Sequence, residues 1–293
     1  YGLRQAPRDW HDTLRMRLVA LRFSLSTADP SLFLRTDNTL PPFYVRVYVN
    51  DLVFASADTE ALALVKAELQ ERHACTDLGE LRSYLGVNIT QDRARRTITL
   101  TQSHMVHQVL QRFGFQFSSP QPTPLSTGHL LLAPPLDESV EPSGPYPELV
   151  GCLMYLMTCM RPGLAYPLSL LARYVAPGRH RKVHWDAAKR VLRYLCSTSG
   201  MGLVLGGRGS VILTGHSDAS WTDDQRLEHR TKHIGLRYFL PRELQQRLQL
   251  RLSYVASRAN TADVFTKALG SGDHQRFCSA LGFVPTHPHL LAA

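Results

Sequence analysis

Cysteine is scarce in this sequence, and the few cysteines present form no recognisable framework. There are five of them, with no CxxC pair and an odd total. They stand at positions 75, 152, 159, 196 and 278. A disulfide-stabilised secreted domain and a zinc knuckle are therefore not expected, whereas a reducing intracellular compartment, cytoplasmic or nuclear, fits this usage.

Long apolar runs are missing as well. No stretch reaches the roughly 18 consecutive apolar residues that a membrane-spanning helix needs, so no membrane partner is expected. The first ten residues, YGLRQAPRDW, contain neither a hydrophobic signal core nor an initiator methionine, and from this start we expect a piece of a longer chain. A glycine-rich phosphate loop followed by Lys-Ser/Thr does not occur either.

The composition permits a folded, basic protein. With 44% hydrophobic and 19% charged residues, the 293-residue chain can bury a core and is long enough for two domains. Lysine and arginine total 33 against 24 acidic residues, which gives a formal net charge of +9. Such a surplus favours a polyanionic partner, nucleic acid first. Many basic proteins bind no polyanion, so the charge alone leaves both possibilities open.

The first 114 residues alternate between helical and strand-like periodicity. Apolar residues recur at helical spacing over residues 8–23 and again over residues 57–73, where Asp58 can cap the helix. The two apolar stripes are Trp10, Leu14, Leu18 and Leu21, and then Ala61, Val65 and Leu69. Strands are predicted over residues 31–36, 78–92 and 95–102, and a short helix over residues 104–115 ends at Gly114.

Residues 116–147 differ from the rest because they are dense in proline and serine. This composition indicates a linker or an extended wrapping segment, and it is the clearest predicted boundary. The elements predicted beyond it are helices over residues 147–160 and 180–196, a glycine-punctuated hairpin over residues 202–220 that reaches Asp218, a helix over residues 230–248, a strand over residues 251–257, and a short helix over residues 259–270 ended by Gly270. The end of the chain is predicted to be frayed.

The stretch VRVYVNDLVFAS, residues 45–56, predicts a hairpin with the polar pair Asn50 and Asp51 at its tip. A plain turn explains this pair, since Asn and Asp are favourable turn residues. The glycine that the tightest two-residue hairpins favour is absent, however. The stretch alone does not decide between a turn and a site.

Several segments, taken in order, resemble the polymerase polyprotein of copia-type retrotransposons. They are YGLRQAPRDW, DPSLF at residues 29–33, YVND at residues 48–51, DLGELRSYLG at residues 77–86, LVGCLMYL, RPGLAY, HWDAAKRVLRYL at residues 184–195, SDASW, HRTKHIGLRYF and NTADVFTK. Each segment alone is a weak signal, but their shared order over residues 1–270 is a strong one. In that family they span the later reverse transcriptase, a connecting region and a ribonuclease H domain.

The resemblance implies an α+β fold with four parts. These are a partial reverse transcriptase over residues 1–125, with palm and thumb but no fingers; a proline-rich linker with connection helices over residues 126–205; a truncated ribonuclease H-like α/β remnant over residues 206–270; and a tail over residues 271–293.

The resemblance also implies a polymerase site that has lost acids. Templated phosphoryl transfer uses two divalent ions about 3.5–4 Å apart, and Mg²⁺ needs several converging carboxylates. Where the family tip reads Tyr-Val-Asp-Asp, this chain has Asn50 at a degenerate position and Asp51 at the second aspartate. The third aspartate belongs to an earlier strand, expected before Tyr1. One acid of three remains, so binding of the ancestral cofactor Mg²⁺ is doubtful.

The family's ribonuclease H acids are incomplete in the same way. Of four acids, Asp218 matches the first and Asp263 the last, while the segment that carries the middle two is missing. Asp223 and Asp224 beside the apparent junction could imitate ligands, but solvated loop acids are the commoner case. One smaller departure is Gly163 in RPGLAY, where the family usually has aspartate; it concerns loop structure and no chemistry.

Nucleic-acid contacts are predicted at Tyr48 and on the helix over residues 180–196. The basic residues of that helix are Lys182, Lys189, Arg190 and Arg193. They form a plausible surface for phosphate groups, although a solvated charged face is the commoner explanation. His184 on the same helix belongs to no zinc pattern and is predicted to be structural.

Three functions remain open. The first is an active RNA-directed DNA polymerase with ribonuclease H activity, if the chain is part of a longer one. The second is a catalytically inactive relic, a pseudoenzyme that still binds RNA, DNA or their hybrid without sequence preference. The third is a pseudogene product without a selected role. The count of acids opposes the first and does not separate the other two. No protein partner is indicated.

Overall fold

A computed structural model describes residues 5–36, 41–128, 144–207, 214–218 and 253–286. The helices within these ranges are α1 (Ala6–Ala20), α2 (Thr59–Arg72), α3 (Ser103–Arg112), α4 (Tyr146–Cys159), α5 (Ala165–Leu171), α6 (Lys182–Ser197) and α7 (Ser271–Ala280). The strands are β1 (Ser24–Leu25), β2 (Leu32–Arg35), β3 (Phe43–Tyr48), β4 (Asp51–Ser56), β5 (Ser83–Tyr84), β6 (Val87–Asp92), β7 (Thr97–Thr101), β8 (Met201–Gly206) and β9 (Phe283–Pro285).

The chain forms two compact units, Tyr1–Leu81 and Arg82–Ala293. This division is coarser than the four predicted parts, which stay predictions. Within the described residues both units mix helices and strands, so the predicted α+β class is confirmed at this level. Among the same residues, no helix is long and apolar enough to cross a membrane.

The N-terminal unit is an antiparallel sheet in the order β1-β2-β3-β4, with α1 and α2 packed on one face. Burial along β3 alternates strictly, because successive side chains of a strand point to opposite faces. The buried core residues of this unit are Leu14, Leu18, Phe23, Phe33, Phe43, Val45, Val47, Val65 and Leu69. Both predicted helical stripes are thereby confirmed, as is the Asp58 cap, whose carboxylate accepts a 2.9 Å hydrogen bond from the Ala61 amide.

The C-terminal unit contains a second antiparallel sheet, β5-β6-β7-β8-β9, and a helical core. The core packs α3, α4, α5 and α6 around apolar residues such as Leu153, Leu168 and Val191. The buried Arg161, only 2% exposed, donates to the hydroxyl and carbonyl oxygens of Thr198. Its guanidinium also lies over the Phe283 ring at 5.3 Å, so it ties the ends of α4 and α6 to β9.

Several predicted elements of the C-terminal unit were wrong. β8 pairs with β7 on one side and β9 on the other, so it is not an arm of the hairpin predicted over residues 202–220; residues 208–213 and 219–220 of that prediction lie outside the described residues. Gly270 precedes α7 as its N-cap and does not end a helix. Residues 253–256 are not a strand, and α5, α7 and β9 were missed. The helix predicted over residues 230–248 lies outside the described residues.

Candidate functional site

A two-residue loop forms the tip of the β3–β4 hairpin. Tyr48 pairs directly with Asp51, so Val49 and Asn50 are the loop residues and Asp51 begins β4. The predicted hairpin is confirmed, but its tip lies one residue earlier than expected. Since cross-strand partners share a face of the sheet, Asp51 and Tyr48 lie on the same face.

The loop has a strained backbone that a distant side chain supports. Val49 adopts φ +52°, in the left-handed region that β-branched residues rarely enter. Its carbonyl oxygen accepts a 2.9 Å hydrogen bond from Trp10 Nε1. The Trp10 ring in turn packs edge-on against His73, with 5.5 Å between ring centroids. Sequence periodicity identified Trp10 only as an apolar stripe residue and gave no signal for this contact.

The face of the sheet opposite the helices carries aromatic and basic side chains. Tyr44, Arg46 and Tyr48 alternate with the buried residues of β3, and all three are exposed. The two tyrosines are 42% and 47% exposed. Residues two apart on a strand are about 7 Å from each other. The result is a row of two rings and a guanidinium that ends beside Asp51 and the hairpin tip.

Asp29 of the DPSLF segment orients Arg46 on this face. Its Oδ2 accepts a 2.7 Å hydrogen bond from Arg46 Nη1, and its Oδ1 accepts from the Ser31 amide and hydroxyl. The hydrogen bonds from Ser31, more than the charge of Arg46, lower the pKa of the Asp29 carboxyl. Asp29 was matched to the family only as part of a motif; its role in holding Arg46 was not predicted.

The hairpin tip does not fit a pair of divalent ions. Asn50 offers an amide oxygen without charge, which leaves Asp51 as the acid of the tip. Within the described ranges, no group of three His, Cys, Asp or Glu side chains could hold a metal ion. Hard Mg²⁺ requires several oxygen ligands, usually with carboxylates among them.

Helix α6 presents its predicted basic residues on the side away from the core. Lys182 and Lys189 both pair with Asp186, at 2.6 and 2.5 Å, which offsets part of their charge. Arg190 donates to Thr123 Oγ1 at 3.0 Å, and Arg193 is exposed. The structure therefore gathers all four predicted residues on one surface but engages three of them in contacts within the protein.

The proline-rich segment, where it is described, wraps along α6. The Gln121 amide donates to the Arg193 carbonyl oxygen, and Ser197 Oγ donates to the Gln121 carbonyl oxygen. Leu125 is buried. The wrapping alternative is thus confirmed up to Leu125, and residues 129–143 lie outside the described part. The segment covers some of the surface predicted to contact nucleic acid.

The two predicted ribonuclease H acids lie close together around a lysine. Lys267 Nζ is 3.1 Å from Asp218 Oδ1 and 3.0 Å from Asp263 Oδ1. Thr266 Oγ1 donates to Asp218 Oδ2, and Asn260 Nδ2 donates to the Ser217 carbonyl oxygen. The Thr266 and Lys267 hydrogen bonds lower the pKa of Asp218. Asp223 and Asp224 are outside the described residues.

Gly163 lies in a tightly packed cluster rather than in an open loop. His274 Nε2 is 3.2 Å from the Gly163 carbonyl oxygen, and Tyr194 packs edge-on to the His274 ring at 5.3 Å. Cys278 Sγ is 3.9 Å from His274 Nδ1. Burial raises the pKa of the Cys278 thiol to about 11, so this cysteine is unreactive.

His184 of α6 is fully buried, and its Nδ1 atom accepts a 2.9 Å hydrogen bond from the Arg181 amide, which confirms its structural role.

The buried His274 should make the C-terminal unit sensitive to mild acid. Burial lowers the pKa of His274 below its usual 6.5. The unfolded chain therefore takes up a proton near pH 6.5 while the folded chain does not. Stability should be constant above pH 6.5 and fall below it, by at most about 1.4 kcal/mol per pH unit. Urea unfolding from pH 8 to pH 5 measures this. His274→Gln should reduce this fall in stability, and a part should remain because burial also lowers the pKa of His180; a profile unchanged by His274→Gln would contradict the assignment.

Comparisons with known proteins identify the family of this chain. The family described as reverse transcriptase (RNA-dependent DNA polymerase) matches residues 1–127. The chain is 33% identical over 242 residues to a retrovirus-related Pol polyprotein from transposon TNT 1-94 of Nicotiana tabacum, covering 80% of this chain and 18% of that protein. It is 32% identical over 235 residues to a putative transposon Ty5-1 protein of Saccharomyces cerevisiae, covering 79% and 73%.

A third relative is the retrovirus-related Pol polyprotein from transposon RE2 of Arabidopsis thaliana, 33% identical over 227 residues, covering 76% of this chain and 15% of that protein. The chain thus spans less than a fifth of the two plant polyproteins. No solved structure matches it. Because the yeast relative is matched over most of its length and the plant relatives are Pol polyproteins of transposons, the chain belongs to the reverse transcriptase family of copia-type retrotransposon polyproteins.

Proposed function

We propose that this chain binds nucleic acid without sequence preference and does not polymerise DNA. In this proposal the N-terminal unit derives from the reverse transcriptase palm. The helices of the C-terminal unit derive from the thumb and connection, and the region around Asp218 and Asp263 derives from ribonuclease H. The ancestral activity would be RNA-directed DNA synthesis with Mg²⁺.

The observation that carries the proposal is the composition of the exposed sheet face. It keeps Tyr44, Arg46 and Tyr48, which suit stacking and phosphate binding, while the adjoining tip has an amide at Asn50. Base stacking on an aromatic ring tolerates any sequence, because every base has a π-face. Arg46 supplies a planar guanidinium between the rings, oriented by Asp29, whose carboxylate offsets part of its charge. The loss of the catalytic acids therefore leaves nucleic-acid binding in place, because catalysis and binding depend on different side chains.

The rings on this face favour a single strand over a duplex. Bases paired inside a helix are stacked on one another, whereas unpaired bases can stack on exposed tyrosines. The α6 surface contributes electrostatically through Arg193 and the partly offset charges of Lys182 and Lys189. Its contribution should be the smaller one, since Asp186 and the wrapping segment already engage much of that surface.

Substitution of both tyrosines tests the proposal. Tyr44→Ala with Tyr48→Ala should weaken binding of a fluorescent single-stranded oligonucleotide at low salt, because each stacked base contributes about 1–3 kcal/mol. The expected loss in affinity is at least tenfold, measured by fluorescence anisotropy. Tyr44→Phe with Tyr48→Phe should retain the affinity of the unmodified chain, since phenylalanine keeps the stacking surface.

A matched control and a salt series complete this test. Tyr254 in the C-terminal unit is 92% exposed, and Tyr254→Ala should leave affinity unchanged. The logarithm of the binding constant should fall linearly with the logarithm of salt concentration, and Arg46→Gln should reduce that slope by at most about 0.7 for a single strand, because Asp29 offsets part of the Arg46 charge. Affinity that does not change with salt concentration would refute the proposal. So would a loss of affinity in Tyr254→Ala as large as that in the double tyrosine-to-alanine variant.

A further inference from the structure

The region around Asp218 and Asp263 disagrees with the metal site that its family implies. Both carboxylates remain, but each already has a cationic partner in Lys267, whose Nζ lies 3.1 and 3.0 Å from their Oδ1 atoms. The second oxygen of Asp218 accepts the Thr266 hydroxyl hydrogen bond. Both Asp218 oxygens are therefore occupied by donors from the protein itself.

The burial of the three groups favours a fixed arrangement. The Asp263 side chain is 7% exposed and that of Asp218 is 19% exposed, while the Lys267 side chain is 45% exposed. A buried carboxylate without a cation is costly, so Asp263 needs a partner. Lys267, four residues later, reaches it from the turn that follows the 3₁₀ helix at Thr261–Phe265.

We infer that the lysine ammonium has become the permanent cation of this region, and that the two former metal ligands now form a structural clasp. The clasp, defined as Asp218, Asp263 and Lys267, ties residues 214–218 to the segment after Asn260. A hydrogen bond from Asn260 Nδ2 to the Ser217 carbonyl oxygen spans the same two segments. Mg²⁺ or Mn²⁺ does not bind between these acids, because it would have to expel an ammonium that is already paired with both.

The inference rests on the proposed origin of Asp218 and Asp263 in ribonuclease H, but its chemistry is independent of nucleic-acid binding. The two carboxylates found here among the described residues are too few to out-compete the tethered ammonium, whereas the four that the resemblance implies would favour a divalent ion. Mg²⁺ also gives up its own water reluctantly and demands near-octahedral oxygen geometry. Loss of the middle acids therefore explains why the lysine can take the place of the metal.

Metal titration of the full chain without nucleic acid tests the inference. Free Mn²⁺, followed by electron paramagnetic resonance, should titrate identically with the unmodified chain and with Asp218→Asn. Lys267→Met, which removes the ammonium and keeps an apolar stem, should gain at least tenfold in Mn²⁺ affinity. Adding Asp218→Asn to Lys267→Met should abolish that gain.

Two outcomes of the titration would overturn the inference. One is a Mn²⁺ site in the unmodified chain that Asp218→Asn removes. The other is no gain in affinity from Lys267→Met. Because the comparison of the unmodified chain with Asp218→Asn does not depend on how Lys267→Met folds, the first outcome remains decisive if that variant fails.

A double-mutant cycle in the presence of a chelator tests the clasp itself. The effects of Asp218→Asn and Lys267→Met should be coupled. The double variant should change the unfolding equilibrium constant about fivefold less than the product of the two single effects predicts, as is typical of partly exposed ion pairs. The exposed pair Lys182 and Asp186 of α6 supplies the comparison cycle. Additive effects at Asp218 and Lys267 would show that no clasp exists. Failure of oligonucleotide binding would leave this result unaffected.

Discussion

Asn50→Asp alone is expected to leave primer extension at background. The substitution restores a second carboxylate beside Asp51 at the hairpin tip, but two acids are one fewer than the three that the resemblance to the family implies for a polymerase site. Two divalent ions need a set of converging acids. The expected product yield with Mg²⁺ or Mn²⁺ therefore equals that of Asp51→Asn, which serves as the matched control in a labelled-primer assay.

The size of the expected loss in the rate of primer extension follows from simple electrostatics. At an effective dielectric near 20, a unit-charge pair about 4 Å apart is worth roughly 4 kcal/mol. A divalent ion next to Asn50 therefore has at least this much less stabilisation than the same ion next to an aspartate. Because about 1.4 kcal/mol corresponds to a tenfold change in rate, the amide alone accounts for a loss on the order of a thousandfold. Extension by Asn50→Asp above the level of Asp51→Asn would contradict this account of the tip.

Gly163→Asp, which restores the usual family residue, is expected to destabilise the C-terminal unit. A Cβ atom at Gly163 would lie 2.8 Å from Cys278 Sγ and 2.9 Å from His274 Nε2. Crowding of this kind costs about 1–3 kcal/mol, and the added carboxylate would be buried beside a neutral histidine. Urea unfolding at pH 7.5 should show a total loss of at least about 3 kcal/mol.

Gly151→Ala is the matched control for this prediction. Gly151 lies within α4, and a Cβ atom there would meet nothing within 4 Å. Alanine should therefore stabilise the helix by about 0.5–1 kcal/mol. His274→Ala in the Gly163→Asp chain should recover part of the loss by making room. Full stability of Gly163→Asp would mean that α7 does not pack on Gly163 as the structure shows.

Local patterns in the sequence predicted the N-terminal unit well. The alternation through β3 and the helical stripes of α1 and α2 depend on neighbouring residues, so composition and spacing were sufficient. The tip was placed one residue late because Asn and Asp are both good turn residues and only the pairing of Tyr48 with Asp51 distinguishes the two positions. The contact of Trp10 with Val49 joins residues 39 apart, and no periodicity signals it.

The C-terminal unit was harder to predict because its contacts are long-range. His274 reaches Gly163 across 111 positions, and β8 pairs with a strand that begins at Phe283. The glycines around β8 indicated a local hairpin, but the backbone hydrogen bonds of β8 join it to β7 and β9, which are far away in the sequence on either side. For the same reason, motif matching identified Asp218 and Asp263 yet gave no sign that Lys267 would lie between them.

A combined binding and extension assay on one labelled primer–template tests the central claim most directly. The unmodified chain is titrated at low salt onto an RNA template with a DNA primer and a single-stranded template overhang, with Mg²⁺ and all four deoxynucleotides present. Anisotropy reports binding, and a gel of the same samples reports extension. We expect saturable binding that salt weakens, and a primer that stays at its starting length. A bound primer extended above the Asp51→Asn level, or no binding at any salt concentration, would contradict the account.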